Sequence, residues 1–353
     1  MKIIHTGDIH IGSALKGFSP EKAAIRKAEI LDGFCKLTRY AKENGVAAVL
    51  IAGDLFDENG VLPYMKRTVL AAIETANPVR FFYVSGNHDA TVEFGDHALP
   101  QNLYFFSENH GFFSYDLGEK ITLTGADTRN FPTAFSTPPV LPRDTFNILL
   151  LHGAEDIPFP LLRDRNVDYL ALGHIHKPSP IAESLDGRGR YRYCGCLEGR
   201  GFDEVGARGF FLLEIQNGSL IGEKFLSLAK RTVVEVRVDI SACDTALDVE
   251  NATLAALQTT GGENIVKIVL CGRHKEGLRK DISLLCARLC ERFFFAKVED
   301  ESRVAIDYDA LKTDKTERGE FVREVGRYEM NEDFRAEVLE VGLKALLGEE
   351  IDL

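Results

Sequence analysis

Val46-Ala47-Ala48-Val49-Leu50-Ile51-Ala52-Gly53-Asp54-Leu55-Phe56-Asp57 carries seven apolar residues without a break into a glycine and a pair of carboxylates. A run that short, apolar throughout and closed by glycine, reads as a buried strand ending in a polar turn. Residues 2–5 and 79–84 have the same character on either side of it. Between them, residues 20–44 and 61–75 set apolar side chains three and four positions apart, with Ile30, Phe34, Leu37 and Ala41 on one stripe, and both predict helices. Strand, helix, strand, helix, strand is the rhythm of a layered α/β core.

Further along, the helical spacing stops. Aromatic and β-branched residues dominate 103–127, which predicts more strands, antiparallel ones, and four prolines in 131–144 predict a long loop. Strands resume at 146–151, 169–172, 191–193, 209–215 and around 224–228, and residues 229–232 look like a boundary. A small β-α-β-α-β unit is expected beyond it: strands at 233–240, 265–271 and near 303–308, with helices near 244–258 and 278–293. In the second of those helices Leu278, Ile282, Leu285, Leu289 and Phe293 share a face. Two acidic amphipathic helices close the chain, one with Phe321, Val325 and Tyr328 on its apolar side, the other with Phe334, Val338 and Val341. The expected domains are therefore 1–230, 231–310 and 311–353, with no internal repeat.

The totals agree with this division. A chain of 353 residues suits one large domain and a smaller one. No stretch approaches the roughly 18 apolar residues of a membrane span, so no membrane partner is expected. Residues 1–6 lack the basic start and apolar middle of an export signal. The cysteines number seven and are scattered, which suits reduced thiols in the cytoplasm better than a disulfide framework. The net charge of −12 at first argues against nucleic acid. However, the 55 residues from Glu299 onward hold 17 acids against 8 bases, so most of the excess sits in the tail. Charge neither supports nor excludes DNA.

Five short motifs each follow a predicted strand: Asp8-Ile9-His10, Gly53 to Asp57, Gly86-Asn87-His88-Asp89, His152-Gly153 and Gly173-His174-Ile175-His176. Singly, most have a plainer reading. Asp-x-His after a strand is more often a turn, an acidic turn often caps a helix, and Gly, Asn and Asp all favour turns. Together they can converge on the carboxyl edge of one sheet, where open α/β sheets bind ligands. Carboxylate, imidazole and amide oxygen are ligands for borderline divalent metals. Coincidence does not place the right ligand types after five strands.

This ordered set resembles the calcineurin-like metallophosphoesterase superfamily over roughly the first 230 residues. The resemblance implies a layered metallophosphoesterase β-sandwich flanked by helices, plus a small α/β capping domain. It implies one metal on Asp8, His10 and His176, a second on Asn87, His152 and His174, and Asp54 bridging the two. Two divalent cations about 3.5–4 Å apart would share and acidify a water, which attacks phosphorus in line. The cation implied is manganese, with iron, cobalt or zinc as alternatives. His88 would contact the phosphate and protonate the leaving oxygen. Asp89 and Asp57 would orient imidazoles, unless they are plain caps.

A narrower resemblance is to the DNA-repair nuclease branch, the SbcD and YhaO-like proteins. It rests on the opening Met1 to Gly12, on Gly53 to Asp57, and on His174-Ile175-His176-Lys177-Pro178. It rests also on Gly195-Cys196-Leu197-Glu198-Gly199-Arg200-Gly201-Phe202-Asp203-Glu204. Relatives often carry histidine where Asp57 stands, and this chain is short and acidic-tailed for the branch. Arg188, Arg190, Arg192, Arg200 and Arg208 form a basic run that would either grip a DNA backbone or simply be a solvated loop. Arg200 is the one expected to bind substrate. Cys194 and Cys196 read as buried thiols. The resemblance implies DNA as substrate, an SbcC-like coiled-coil ATPase held by the C-terminal helices, and a homodimer through the early helices. The helices folding back on their own capping domain is the plainer alternative. The functional expectation is a metal-dependent DNA exonuclease or endonuclease acting on ends. The alternatives are a phosphodiesterase or phosphatase of nucleotides or other small phosphoesters, and a non-catalytic scaffold.

Overall fold

The computed structural model describes residues 1–90, 94, 98–106, 111–127, 138–153, 157, 159–275, 277–305 and 308–347. The chain divides into two compact units, one of Met1–Glu235 with Thr260–Lys267 and Arg288–Lys297, the other of Val236–Thr259, Ile268–Ala287 and Val298–Leu353.

The first unit begins as the spacing predicts, with β1 (Lys2–Thr6), α1 (Pro20–Glu43), β2 (Ala48–Ala52), α2 (Pro63–Thr75) and β3 (Arg80–Val84). Ser19 starts α1: its hydroxyl accepts from the Lys22 amide, and Pro20 occupies the first turn, where a missing N–H costs nothing. β1, β2 and β3 pair in parallel, and β4 (Leu103–Phe105) joins them, also parallel. The expected antiparallel pairing holds only for the next two strands, β5 (Phe113–Gly118) and β6 (Ile121–Gly125). These open a second sheet with β7 (Phe146–Leu151), β8 (Tyr169–Leu172), β9 (Glu183–Ser184) and β10 (Arg190–Tyr193), in the order β5-β6-β7-β8-β10-β9. A single helical turn, α3 (Phe159–Leu162), lies between β7 and β8. The proline-rich loop falls partly outside the described residues, and 138–144 has no regular structure. β11 (Phe210–Gln216) and β12 (Ser219–Leu226) then return to the first sheet beside β1, giving β12-β11-β1-β2-β3-β4.

The two sheets face each other. Ala48, Leu50 and Ala52 of β2 pack with Phe82, Val84, Ile148, Leu150 and Ala171 in one cluster. Val49 and Ile51 point the other way, onto Ile30, Phe34, Leu37 and Val69 of the helices. The alternation of a strand thus feeds two different cores, and β2 is buried at all five positions because both its faces are covered. β7 is buried throughout for the same reason, with Leu149 and Leu151 in a third cluster outside the second sheet. Arg26 has no exposed surface, and it pairs with Glu198 at 3.0 Å and donates to the Gly199 carbonyl at 2.7 Å. It thereby ties α1 to the loop just before Arg200.

The remaining strands and helices are β13 (Val233–Asp239), α4 (Ala246–Ala256), β14 (Ile265–Cys271), β15 (Arg273–His274), α5 (Ile282–Arg292), β16 (Phe295–Asp300) and β17 (Arg303–Val304). α4 begins with a reciprocal cap between Thr245 and Asp248. Leu285, Leu289 and Phe293 of the predicted stripe are buried. The closing strand lies earlier than expected, at β16, because the Phe293-Phe294-Phe295 run ends the helix and starts the strand. Three helices follow, α6 (Tyr308–Thr313), α7 (Glu317–Val325) and α8 (Glu332–Leu347). Leu311, Val322, Val325, Leu339 and Leu343 form a buried apolar cluster among them, packed with Phe321 and Val338. Tyr328 and Phe334, expected on the apolar faces, are exposed by 59% and 53%. The additional helix, α6, supplies Leu311, so the tail has a small core of its own instead of two unsupported stripes. Among the described residues no helix is long and apolar enough to cross a membrane. None of the seven cysteines is joined in a disulfide.

Candidate metal centre

The ends of β1 and β2 continue to pair after the strands formally stop. The Asp8 amide donates to the Gly53 carbonyl, His10 to Asp54 and Ile11 to Leu55. This lays the Asp-x-His and Gly-Asp turns side by side. Asp8, His10, Asp54 and His174 all take positive φ, at 49°, 50°, 49° and 77°. Such backbone is costly for residues other than glycine, and it aims these side chains back across the sheet edge.

Seven side chains meet there. Asp8, His10, Asp54 and His152 form a buried floor, none more than 1% exposed, while Asn87 and His174 stand on the solvent side and His176 is half-buried. Asp54 lies at the middle, its Oδ2 3.5 Å from His10 Nε2 and 3.4 Å from His152 Nε2. On one side His10 Nε2 and His176 Nε2 approach to 3.2 Å, and Asp8, His10 and His176 converge as one group. On the other, Asn87 Oδ1 lies 2.9 Å from His152 Nε2 and 3.1 Å from His174 Nδ1. Asp8, Asp54 and His152 make a further converging group.

Several of these residues are tied by one atom and present another to the pocket. Asp8 Oδ1 accepts from the His174 amide at 2.8 Å, and its buried Oδ2 has no hydrogen-bond partner. Asp54 Oδ1 accepts from the His88 amide at 2.8 Å, leaving Oδ2 facing the imidazoles. His152 Nδ1 donates to the Ala52 carbonyl at 2.9 Å, which leaves Nε2 with the lone pair. A buried carboxylate oxygen without a donor is costly unless something positive meets it. Burial, the nearby Asp54 charge adding to it, pushes Asp8 well above the usual carboxylate range, and burial likewise raises Asp54. Burial holds His10 far below the usual imidazole range, with the Arg200 charge lowering it further. Two carboxylates driven toward protonation beside the neutral imidazole of His10 is the electrostatics of a site built for cations. The donor set, carboxylate, imidazole and amide oxygen, fits two divalent metals.

The other predicted residues are placed as follows. His88 is exposed at the mouth, its ring edge-on to His10 at 4.8 Å between centroids. Asp57 converges with His10 and His88. It does not cap the next helix, whose cap position is Leu62. Asp89 was expected on an imidazole, but its carboxylate accepts from the amides of Leu55, Phe56 and Gly86 and from the Tyr83 hydroxyl. It fixes two of the ligand-bearing turns to each other. Of the basic run only Arg200 reaches the centre. Arg188 pairs with Asp168, and Arg192 is buried against Glu223 and the Phe211 ring. Arg208 is buried. Cys194 and Cys196 are buried, and burial raises both thiols well above their usual range.

The sequence reading assigns no role to Glu204, yet its Oε1 lies 2.8 Å from His176 Nδ1 and 2.8 Å from an Arg200 nitrogen. Burial pushes this carboxyl upward, but hydrogen bonds to His176 and Arg200 and the Arg200 charge outweigh it and hold Glu204 well below the usual range. In the sequence it stands only as the last residue of the Gly195 to Glu204 stretch, four positions after Arg200, with nothing to mark its direction.

Comparison with known proteins agrees with this geometry. The model of the calcineurin-like phosphoesterase family matches residues 1–178, half of the chain, including all seven converging residues. The chain is 26% identical over 315 residues to an uncharacterized metallophosphoesterase, YhaO, of Bacillus subtilis, covering 79% of this chain and 73% of that one. It is 26% identical over 277 residues to the DNA double-strand break repair protein Mre11 of Methanopyrus kandleri, covering 67% of this chain and 59% of that one. Among solved structures, a dimetal phosphatase from Danio rerio aligns with 64% of this chain and 97% of its own at 12% identity, with a TM-score of 0.42. With the family match spanning every strand-end motif, the chain belongs to the calcineurin-like phosphoesterases and is a metal-dependent hydrolase.

Proposed function

We propose that this hydrolase is a phosphodiesterase acting on DNA ends, with two divalent cations, manganese foremost, held by Asp8, His10, Asp54, Asn87, His152, His174 and His176. The observation that carries the metal centre is the position of Asp54 Oδ2, nearly equidistant from an imidazole of each half of the site. When bound, such a cation pair supplies charge stabilisation at the phosphoryl oxygens and lowers the pKa of a water to give a nucleophile near neutral pH.

The chain's own residues supply the rest. His88 is held by its backbone, whose amide donates to Asp54, so its exposed ring stays at the mouth and can deliver a proton to the leaving oxygen. Arg200 sits at the rim beside His176, where a guanidinium meets a phosphate oxygen. Support for DNA comes from the similarity to a protein named for double-strand break repair. The exposed Phe334 and Leu346 of α8 and Tyr328 of the turn before it leave apolar surface for a coiled-coil ATPase partner. Small phosphoesters are the competing substrate, because the same centre would cleave them.

Linear DNA, cyclic nucleotides and nitrophenyl phosphodiesters assayed side by side with Mn²⁺ test the proposal. It requires DNA to be the preferred substrate by kcat/KM. Turnover confined to the small esters would replace it with the competitor, and DNA binding without any hydrolysis would point to a scaffold.

A further inference from the structure

His176 has two opposed partners at its far nitrogen. Its Nδ1 lies 2.8 Å from Glu204 Oε1 and 2.8 Å from Arg200 Nη2, and the same guanidinium nitrogen is 3.3 Å from Nε2. These contacts belong to different tautomers. If Nδ1 accepts from Arg200, the ring proton is on Nε2, and Nε2 has no lone pair to offer. If Nδ1 donates to Glu204, the Nε2 lone pair can ligate, just as the Nδ1 bond of His152 to the Ala52 carbonyl puts the lone pair of that ring on Nε2. Hydrogen bonding at one ring nitrogen decides what the other can do.

We propose that Glu204 is a positioning residue, which fixes His176 in the tautomer that presents Nε2 to a cation and holds Arg200 at the rim. This rests on the metal-centre reading above. Glu204 is built for such a place. It is 5% exposed, its Oε2 accepts from the Arg200 amide at 2.6 Å, and its Oε1 takes Arg200 Nη2 and Nε at 2.8 and 3.2 Å. Cys196 Sγ, 3.5 Å from Oε2, completes its surroundings. The carboxylate therefore has its geometry set before a metal arrives. Occupation of His176 Nε2 selects the Glu204-bonded tautomer, and the Arg200 guanidinium is then no longer engaged by the ring. Glu204 keeps it at the rim, where a substrate phosphate can reach it.

The test is Mn²⁺ titration of the full chain, with melting of the metal-free protein alongside. Wild type should bind two ions. Glu204→Gln keeps the size of the side chain and its loop contact but removes the charge. It should weaken one of the two sites by about 10–100-fold, leave the other unchanged, and melt within a few degrees of wild type. Glu204→Ala should show the same one-sided loss. Two wild-type affinities in both variants would overturn the assignment, and so would equal weakening of both sites together with a lowered melting temperature. A wild-type chain that takes up no Mn²⁺ would instead bring down the metal centre itself, and this assignment with it.

Discussion

At Asp8 the two carboxylate oxygens have different fates: one accepts from the His174 amide, and the other is buried with no donor. Division of a single side chain between scaffold and pocket recurs at Asp54 and His152. Only His88 among the motif histidines faces solvent at the mouth while its backbone, not its ring, is bound to a ligand residue. Replacing it with alanine should therefore leave metal content near two per chain and lower kcat about 10²–10⁴-fold. Metal analysis and steady-state rates on the purified variant check this, and unchanged turnover would contradict it. The seven ligand candidates are legible in the sequence because each follows an apolar strand within a few residues, where the chain must leave the sheet. Glu204 is not legible, because a loop brings it to the site and no periodicity marks its direction. Asp89 misleads for a related reason: its neighbour Asn87 faces the pocket, but its own carboxylate turns inward to backbone amides.

Strand ends are fixed by close backbone approach as much as by hydrogen bonds. A methyl group at Gly173 would come within 1.9 Å of the Ala52 carbonyl oxygen, and at Gly86 within 2.1 Å of Asp54 Oδ1. The first clash is with backbone, which has little room to yield. Gly173→Ala should cost about 1–3 kcal/mol, read as a lower urea midpoint, and should weaken metal binding through the displaced His174. A midpoint and an affinity equal to wild type would show that the β8 end is looser than described. The elements themselves were readable where a stripe or a closed apolar run is long, as in α1, β2 and β7. They were less readable where one stretch satisfies two readings. Residues 293–295 are apolar enough to finish α5 or to begin β16, and the helix-ending turn decides between them. In the tail, Phe321 and Val325 fit the predicted face, but packing against Leu311 of a helix the spacing did not reveal brings Val322 to the core and leaves Tyr328 outside.

Across the whole first unit, the two sheets are joined by apolar packing and by polar pins, of which His5 is buried deepest in the strands. His5 of β1 contacts the Tyr169 hydroxyl at 3.0 Å and the Leu172 carbonyl at 3.1 Å, both in the opposite sheet. Burial lowers this imidazole from 6.5 to about 3, against a smaller upward pull from the Leu172 carbonyl. The unfolded chain therefore binds a proton between those values that the folded chain does not. Stability from this group is complete above about pH 6.5 and is lost as pH falls toward 3, by about 1.4 kcal/mol per unit. In the folded protein the His5 ring resonances should not titrate between about pH 5 and pH 8. A midpoint near the free-histidine value would mean that the pin is solvated.

The layered α/β class was visible in the first 84 residues. The two facing six-stranded sheets are the β-sandwich that the family resemblance implies. The strand pattern alone did not show them, because a strand buried on both sides carries no alternation to say which side meets which neighbour. All of this converges on the edge where the two sheets deliver Asp8, Asp54, Asn87, His152 and His174 to one place. The most direct measurement is the anomalous difference density of crystals grown with Mn²⁺. Two peaks are predicted, one among Asp8, His10 and His176 and one among Asn87, His152 and His174, with Asp54 between them. A map without peaks at that sheet edge, or with manganese only elsewhere on the molecule, would contradict the account.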